Sequence, residues 1–310
     1  MSTAIEIAPI APLAVVARQS FVEAFLSGRS AATVAAYRQD LGAFASFAKA
    51  ESIEAACAWL VSLPHGDANA IALYWRNAMI ESGLSPATVN RRLAALRSVV
   101  KVARTIGVVS WSLEVEGVKS AKYRDTRGCG REGVVAMLAR VEARGDAKGA
   151  RDAAMLHLLF SCALRRNEVL SLDVVHFDAK RSAVSIKGKG RTEREWVTLP
   201  SSAKVAVEAW LSLRGADEGP LFVSLDPATR GHRLSAPALY KIVRVLGAAE
   251  GFDARPHGLR HAAITEALEK TNGNVRAVQR FSRHRDVNVL TKYDDNRSDL
   301  GGQIAALVAL

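Results

Sequence analysis

The amino-acid sequence predicts a mainly α protein with a small antiparallel β-sheet, divided into two domains. Three observations lead there. At 310 residues the chain exceeds a single average domain of roughly 150 residues. Hydrophobic residues make up 49% of it but aromatic ones only 6%, which suits helices packed through Ala, Leu and Val. Apolar residues recur at helical spacing over most of the length, and strict alternation is confined to one stretch of the second half.

Residues 1–15 are expected to form a flexible N-terminal arm. The segment MSTAIEIAPIAPLAVVARQ is apolar, but it lacks a basic n-region, carries Glu6 and is broken by Pro9 and Pro12, unlike a signal peptide. No apolar run reaches the roughly 20 residues that a bilayer demands. Residues 16–111 read as a helical domain. Two helices split at Gly28-Arg29-Ser30, with Ser30 as an N-cap and Val34, Tyr37, Leu41 and Phe44 on one face. SIEAACAWLVSL and ANAIALYWRNAMIESG repeat the pattern, the second stopping at Gly83. Ser85-Pro86 then opens a helix with a cap followed by proline at the first helical position, and Gly107 ends it. Its apolar face is Val89, Leu93, Leu96 and Val100. Arg91, Arg92, Arg97, Lys101 and Arg104 spread over its other faces, as solvated surface or as phosphate contacts.

Periodicity lapses over residues 112–130, where VEGVKSAKYRDTRGCG is rich in Gly, Lys and Arg. This stretch is expected to be a basic interdomain linker, which phosphates could hold so that two domains close around a duplex. Residues 131–310 read as the second domain. Helices over REGVVAMLARVEARG and ARDAAMLHLLFSC lead through a turn at Ala163-Leu164 into the short helix RRNEVLSL. VVHFDAKRSAVSIKGKGRTEREWVTLP alternates, with turns at Asp178-Ala179-Lys180 and Gly188-Lys189-Gly190, and predicts about three antiparallel strands. Helices resume over SAKVAVEAWLSLRG, SAPALYKIVRVLGAAEG, HGLRHAAITEALEKTN and NVRAVQRFSRH, and a last short one carries Tyr293.

The formal net charge of +11 favours a polyanionic partner, because each Lys or Arg near a phosphate releases condensed counterions. Cys57, Cys129 and Cys162 are odd in number and include no CxxC pair, which points to reduced thiols in a cytoplasm rather than a disulfide framework.

The residues that carry chemistry lie in the second half. Arg165 and Arg260 are suited to clamp a phosphate, whose transition state gains charge on its non-bridging oxygens. Glu168, three residues after Arg165, is placed to hold that guanidinium, although the same spacing describes an ordinary Arg–Glu helix pair. His257 and Arg260 share a helical face just after Pro256, at the positive end of the helix. His257 and His261 also have the spacing of a metal pair, but no carboxylate or thiolate accompanies them; His261 reads as a packing or supporting residue. Lys189, between two glycines of a hairpin, fits either a mobile general acid or a plain surface lysine. Tyr293 lies in the polar setting TKYDDN shortly after His284, whereas Tyr37 and Tyr240 fall on apolar helical faces. A tyrosine acting as nucleophile needs cationic neighbours or a base, since its pKa is near 10 when unperturbed. Lys241 and Arg244, after Tyr240, are further candidates for phosphate contact.

In order along the chain, these segments resemble the tyrosine recombinase (phage integrase) family over most of its length. CALRRNEVL is similar to the family's first arginine box, IKGKGRTER to its β-hairpin lysine segment, HGLRH to its His-x-x-Arg box, and SRHRDVNVLTKY to the last histidine and nucleophilic tyrosine. TVAAYRQDL and SPATVNRRLAALR resemble its helical, SAM-like core-binding domain. The compact length is that of Xer-like and transposon-borne members. The resemblance implies Arg165, Lys189, His257, Arg260, His284 and Tyr293 as the catalytic set, with Glu168 and His261 behind them. It implies a two-domain clamp on double-stranded DNA at a specific recombination site, a 3′-phosphotyrosyl intermediate, a Holliday junction and a homo-tetramer on two paired sites. It implies neither metal nor other cofactor, and a cytoplasmic, nucleoid-associated protein of a prokaryote, phage or mobile element. Two departures stand out: Ala163 where glycine is usual, and Ser282-Arg283 where Leu-Gly is usual, the latter expected to add a cation beside the site. GGQIAALVAL is expected to dock on a neighbouring protomer or on its own domain. The competing readings are type IB topoisomerase-like relaxation, and a DNA-binding regulator that keeps the fold without cutting; the second anticipates a lost catalytic residue, and every residue type is present.

Overall fold

A computed structural model of the chain describes residues 21–119, 129–188, 193–292, 302 and 306–309. It divides into two compact units, Met1–Tyr123 and Arg124–Leu310. The first holds five helices among its described residues: α1 (Phe21–Leu26), α2 (Ala31–Phe47), α3 (Ile53–Ser62), α4 (His65–Glu81) and α5 (Pro86–Thr105). Local chemistry sets their ends. The side chains of Ser30, Ser52 and Ser85 accept the backbone N–H of Thr33, Ala55 and Thr88, each satisfying one of the donors left over at a helix start. Leu41, Phe44, Val89, Leu93, Leu96 and Val100 are all buried in one core with Trp75 and Met79. Tyr37 packs edge-on to Phe25, and the Arg29 guanidinium lies over both rings.

Residues 112–119, where the linker is expected to begin, pack together with Trp111 on the core of the first unit. Leu113 and Val115 are buried in the same core, and Trp111 and Val118 pack against it. The segment has no helical period because it is extended and held by side chains: Asn90 accepts from Val118 N at 2.8 Å and donates to Val118 O at 2.9 Å. Asn69 accepts from Glu114 N, and Arg97 donates to Val115 O. Gly117 permits this approach, since a Cβ there would fall 2.5 Å from Asn90 Oδ1. The remainder of the expected linker, over residues 120–128, lies outside the described residues, as does the 1–15 arm.

The second unit contains α6 (Gly130–Glu142), α7 (Ala147–Phe160), α8 (Arg166–Leu170), β1 (Phe177–Asp178), β2 (Ala183–Lys187), β3 (Arg194–Thr198), α9 (Ser201–Arg214), α10 (Ala236–Ala249), α11 (Pro256–Lys270), α12 (Val275–Ser282) and a 3₁₀ turn at Val287–Lys292. The strands form one antiparallel sheet in the order β1-β2-β3, with Val184 facing Val197 and Lys187 facing Arg194. The central helix α7 is buried almost throughout and packs against α6, α9 and α11. Its core takes in Val184 and Ile186 from β2, Trp210 from α9 and Leu239 from α10. A smaller cluster of Ala163, Ala263, Ile264, Leu268, Val278 and Leu290 ties α11, α12 and the 3₁₀ turn together. Tyr240, expected in the core, is 40% exposed; the apolar face of α10 runs through its neighbours Leu239 and Val243. The three cysteines are buried, and desolvation raises each thiol pKa, to about 12 for Cys57 and Cys162. Among the described residues no helix is long and apolar enough to cross a membrane.

Candidate active site

Three backbone segments of the second unit meet at the site. The first is the turn that closes α7. Cys162 N bonds His157 O, Ala163 N bonds Phe160 O, and Leu164 N reaches back to Leu158 O. Ala163 takes a left-handed φ of 45° here, so the backbone keeps a glycine-like conformation although the residue carries a Cβ. Arg165 follows as the residue before α8, and Glu168 in the first turn of that helix folds back on it. Glu168 Oε2 accepts the Arg165 backbone N–H at 2.8 Å, and Oε1 accepts its guanidinium at 2.7 Å. The carboxylate therefore both caps the helix and fixes the side chain.

The second segment is the start of α11. Pro256 occupies the first helical position, where its missing N–H costs nothing. His257 is exposed at this end, and Arg260, one turn on, is only 2% exposed. The Arg260 guanidinium donates to the carbonyls of Ala163 and Ser282. His261 is buried with Nδ1 3.5 Å from Thr265 Oγ1. Among the described residues no cluster of three or more His, Cys, Asp or Glu is arranged to hold a metal ion.

The third segment is the end of α12. Ser282 is buried, and its Oγ lies 2.9 Å from His284 Nδ1. Gln279 Nε2 donates to His284 O at 3.1 Å. Between them Arg283 adopts a left-handed φ of 56°. Its side chain turns inward: Nη1 donates to Cys162 O and Phe281 O, and Nη2 to Ala163 O at 3.0 Å and Glu168 Oε2 at 3.3 Å. The direction depends on the turn at Ala163, far away in the chain, and so is not encoded in the residues around Arg283.

Electrostatics follow from this crowding. Burial lowers the pKa of His284, and the charges of Arg260, Arg165 and Arg283 lower it further, to about 4. His257 is lowered by the same combination of desolvation with Arg260 and Arg165. Burial would raise Glu168, but the hydrogen bonds from Arg165 and the charge of Arg283 outweigh it and hold the carboxyl below its usual range. Arg165, His257, Arg260 and His284 are thus brought into one electropositive group. Lys189 and Tyr293 lie outside the described residues; the strand pair next to Lys189 ends at Lys187 and Arg194, and the 3₁₀ turn before Tyr293 ends at Lys292.

The basic residues expected to meet phosphates have other partners in several cases. Arg91 bonds Asp40 at 2.6 Å, Arg92 lies 4.0 Å from the same carboxylate, and Asp40 is 2% exposed. Arg97 holds Val115 O, and Arg244 pairs with Asp253. Lys101 and Lys241 are exposed.

Comparison with known proteins shows the family. Residues 131–299 match the Phage integrase family, and residues 19–106 match the phage integrase N-terminal SAM-like domain. The chain is 41% identical to a tyrosine recombinase of Synechocystis sp. over 257 residues, covering 81% of this chain and 82% of that protein. It is 41% identical to one of Synechococcus elongatus over 284 residues, covering 89% and 88%. It is 32% identical to the tyrosine recombinase XerC of Chromohalobacter salexigens, covering 89% of each. In fold it resembles the Tn1549 transposon integrase in complex with transposon right end DNA, with a TM-score of 0.69, 15% identity, and coverage of 95% of this chain and 99% of that one. It also resembles the XerH recombinase bound to a difH substrate, with a TM-score of 0.67, 19% identity, and coverage of 88% and 79%. The chain belongs to the phage integrase family and is a site-specific tyrosine recombinase.

Proposed function

We propose that this recombinase cuts and rejoins double-stranded DNA at a specific site through a 3′-phosphotyrosyl intermediate on Tyr293. The observation that carries the reading is the bonded group around Ala163 O, which fixes Arg260 directly and Arg165 through Glu168, with His284 beside them. Two held guanidiniums supply donors aimed at an oxyanion without reorganisation during the reaction. His257 and His284, neutral near pH 7, add hydrogen-bonding groups at the same place. Tyr293 attacks the scissile phosphorus, the P–O5′ bond breaks, and Lys189 protonates the leaving 5′ oxygen. The 5′-hydroxyl of a partner strand then attacks the ester and releases the phenol. The ester retains the energy of the broken linkage, so rejoining requires neither ATP nor a metal. Two rounds, through a Holliday junction, call for four protomers on two paired sites. Lys101 and Lys241, both exposed, serve as phosphate contacts. The protein would work in the cytoplasm on nucleoid or mobile-element DNA.

A pool of nicked duplexes with a random central segment tests this. Cleavage near the nick loses the short 5′-hydroxyl fragment and strands the enzyme on DNA. The expected result is a covalent adduct at a defined sequence, 3′-linked through Tyr293, and none from Tyr293→Phe, which keeps the ring but not the nucleophile. An adduct from the phenylalanine variant, or a 5′ linkage, would overturn the assignment. Adducts without sequence preference, together with relaxation of supercoils, would favour the topoisomerase reading.

A further inference from the structure

Arg283 makes four hydrogen bonds from two nitrogens, to three carbonyls and one carboxylate, and its side chain is 8% exposed. It does so from a left-handed backbone that disfavours any side chain with a Cβ, by roughly 1–2 kcal/mol. So buried and so engaged, it is not placed to meet DNA. Among the described residues its carboxylate partners are Glu168, at 3.3 Å, which also holds Arg165, and Glu195, at 3.9 Å.

We propose that Arg283 is a positioning residue for Arg165 that acts through Glu168, an inference that rests on the function proposed above. A carboxylate facing one arginine favours a two-bond fork, which engages two guanidinium nitrogens at once. Here the two oxygens are divided. Oε1 takes Arg165 Nη1, while Oε2 is drawn to the Arg165 backbone N–H and to Arg283 Nη2 from the other side. The fork cannot close, and Arg165 uses one guanidinium nitrogen to be held, leaving the rest of its donor edge for a phosphate. Burial opposes ionisation of Glu168, but the Arg165 and Arg283 contacts outweigh it and keep the carboxylate charged, as this division requires. Arg283 Nη2 further bonds Ala163 O, the carbonyl that Arg260 holds, so one side chain sets the spacing of both clamps.

The test is single-turnover cleavage of the nicked duplexes by wild type, Arg283→Gly, Glu168→Gln and the double variant. Arg283→Gly should lower the limiting rate at saturating DNA by about tenfold or more while the half-saturating DNA concentration changes little. In the Glu168→Gln background the same change should have a markedly smaller effect, because residues acting through one another are non-additive. Full additivity in a wild type that cleaves would overturn the inference alone. A rise in half-saturating DNA concentration with a changed salt slope would do the same, since it marks a direct phosphate contact. A wild type that forms no adduct would overturn the functional reading, and this inference with it. Melting curves monitor folding; should Arg283→Gly not fold, Arg283→Met, which keeps the side-chain length, replaces it in the same cycle.

Discussion

Arg260 carries two demands on one side chain. It is expected to face a phosphate, and it donates to the carbonyls of Ala163 and Ser282 in a nearly closed setting. Arg260→Ala should therefore lower both cleavage and melting temperature, because a buried carbonyl that loses its donor costs about 1–3 kcal/mol. Arg165 is more open, at 29% side-chain exposure, and Glu168 keeps Arg283 as a partner. Arg165→Ala should reduce cleavage by roughly 10²–10³ with a smaller change in melting. Single-turnover rates and melting curves on both variants check this, and near-wild-type cleavage by either would leave that arginine only a structural role. His284 gives a pH signature. Unfolded, its ring titrates at about 6.5; folded, at about 4. Between those values the unfolded chain binds the proton and the folded chain does not, so stability contributed at neutral pH is lost as pH falls through that window. Melting temperatures of wild type should drop more from pH 7 to pH 5 than those of His284→Asn, and parallel curves would contradict the assignment.

At the scale of elements, what the sequence makes legible is what is encoded locally. Ser30, Ser85 and Pro86 announce helix starts because a cap acts within three residues, and Val89, Leu93, Leu96 and Val100 announce a buried face because the helical period places them together. The site was legible in the same way as short boxes, Arg165 with Glu168 and His257 with Arg260. What was not legible depends on partners distant in the chain. Residues 111–119 have no period because Asn90, Asn69 and Arg97 supply their bonds. Arg283 turns inward because the carbonyls of Cys162 and Ala163 await it. Asn90→Ala tests the first case: it removes both bonds to Val118 and should cost about 1–3 kcal/mol in urea unfolding, and an unchanged midpoint would show the segment held by its apolar contacts alone. The β2–β3 hairpin offers a chemical test. If Lys189 is the general acid, Lys189→Ala should impair cleavage of ordinary DNA much more than cleavage of DNA with a 5′-bridging sulfur, which leaves without a proton. Equal losses on both would assign Lys189 to charge neutralisation.

At the scale of the molecule, the two large hydrophobic cores, one in each compact unit, mean two folding units. A fragment of residues 16–119 should unfold in a single cooperative transition, and a fragment ending at residue 111 should be clearly less stable, since it loses the burial of Leu113 and Val115. Calorimetry of the two fragments decides it; equal melting temperatures would return residues 112–119 to the role of a linker. The charge of +11 belongs to this scale as well. Some of the 42 Lys and Arg residues are committed internally, through Arg91 to Asp40 and Arg244 to Asp253, so the salt dependence of DNA binding should reflect fewer phosphate contacts than the number of basic residues suggests.

The burial of the cysteines has a practical consequence for measuring the reaction. Cleavage of a 5′-bridging-sulfur duplex releases a thiol, which chromogenic disulfides detect continuously. Such reagents attack thiolates that solvent can reach. Cys57, Cys129 and Cys162 are enclosed, and desolvation holds all three in the unreactive protonated form. The folded enzyme should give almost no background colour, so strand breakage becomes readable in real time, and a slow colour change without DNA would report unfolding instead.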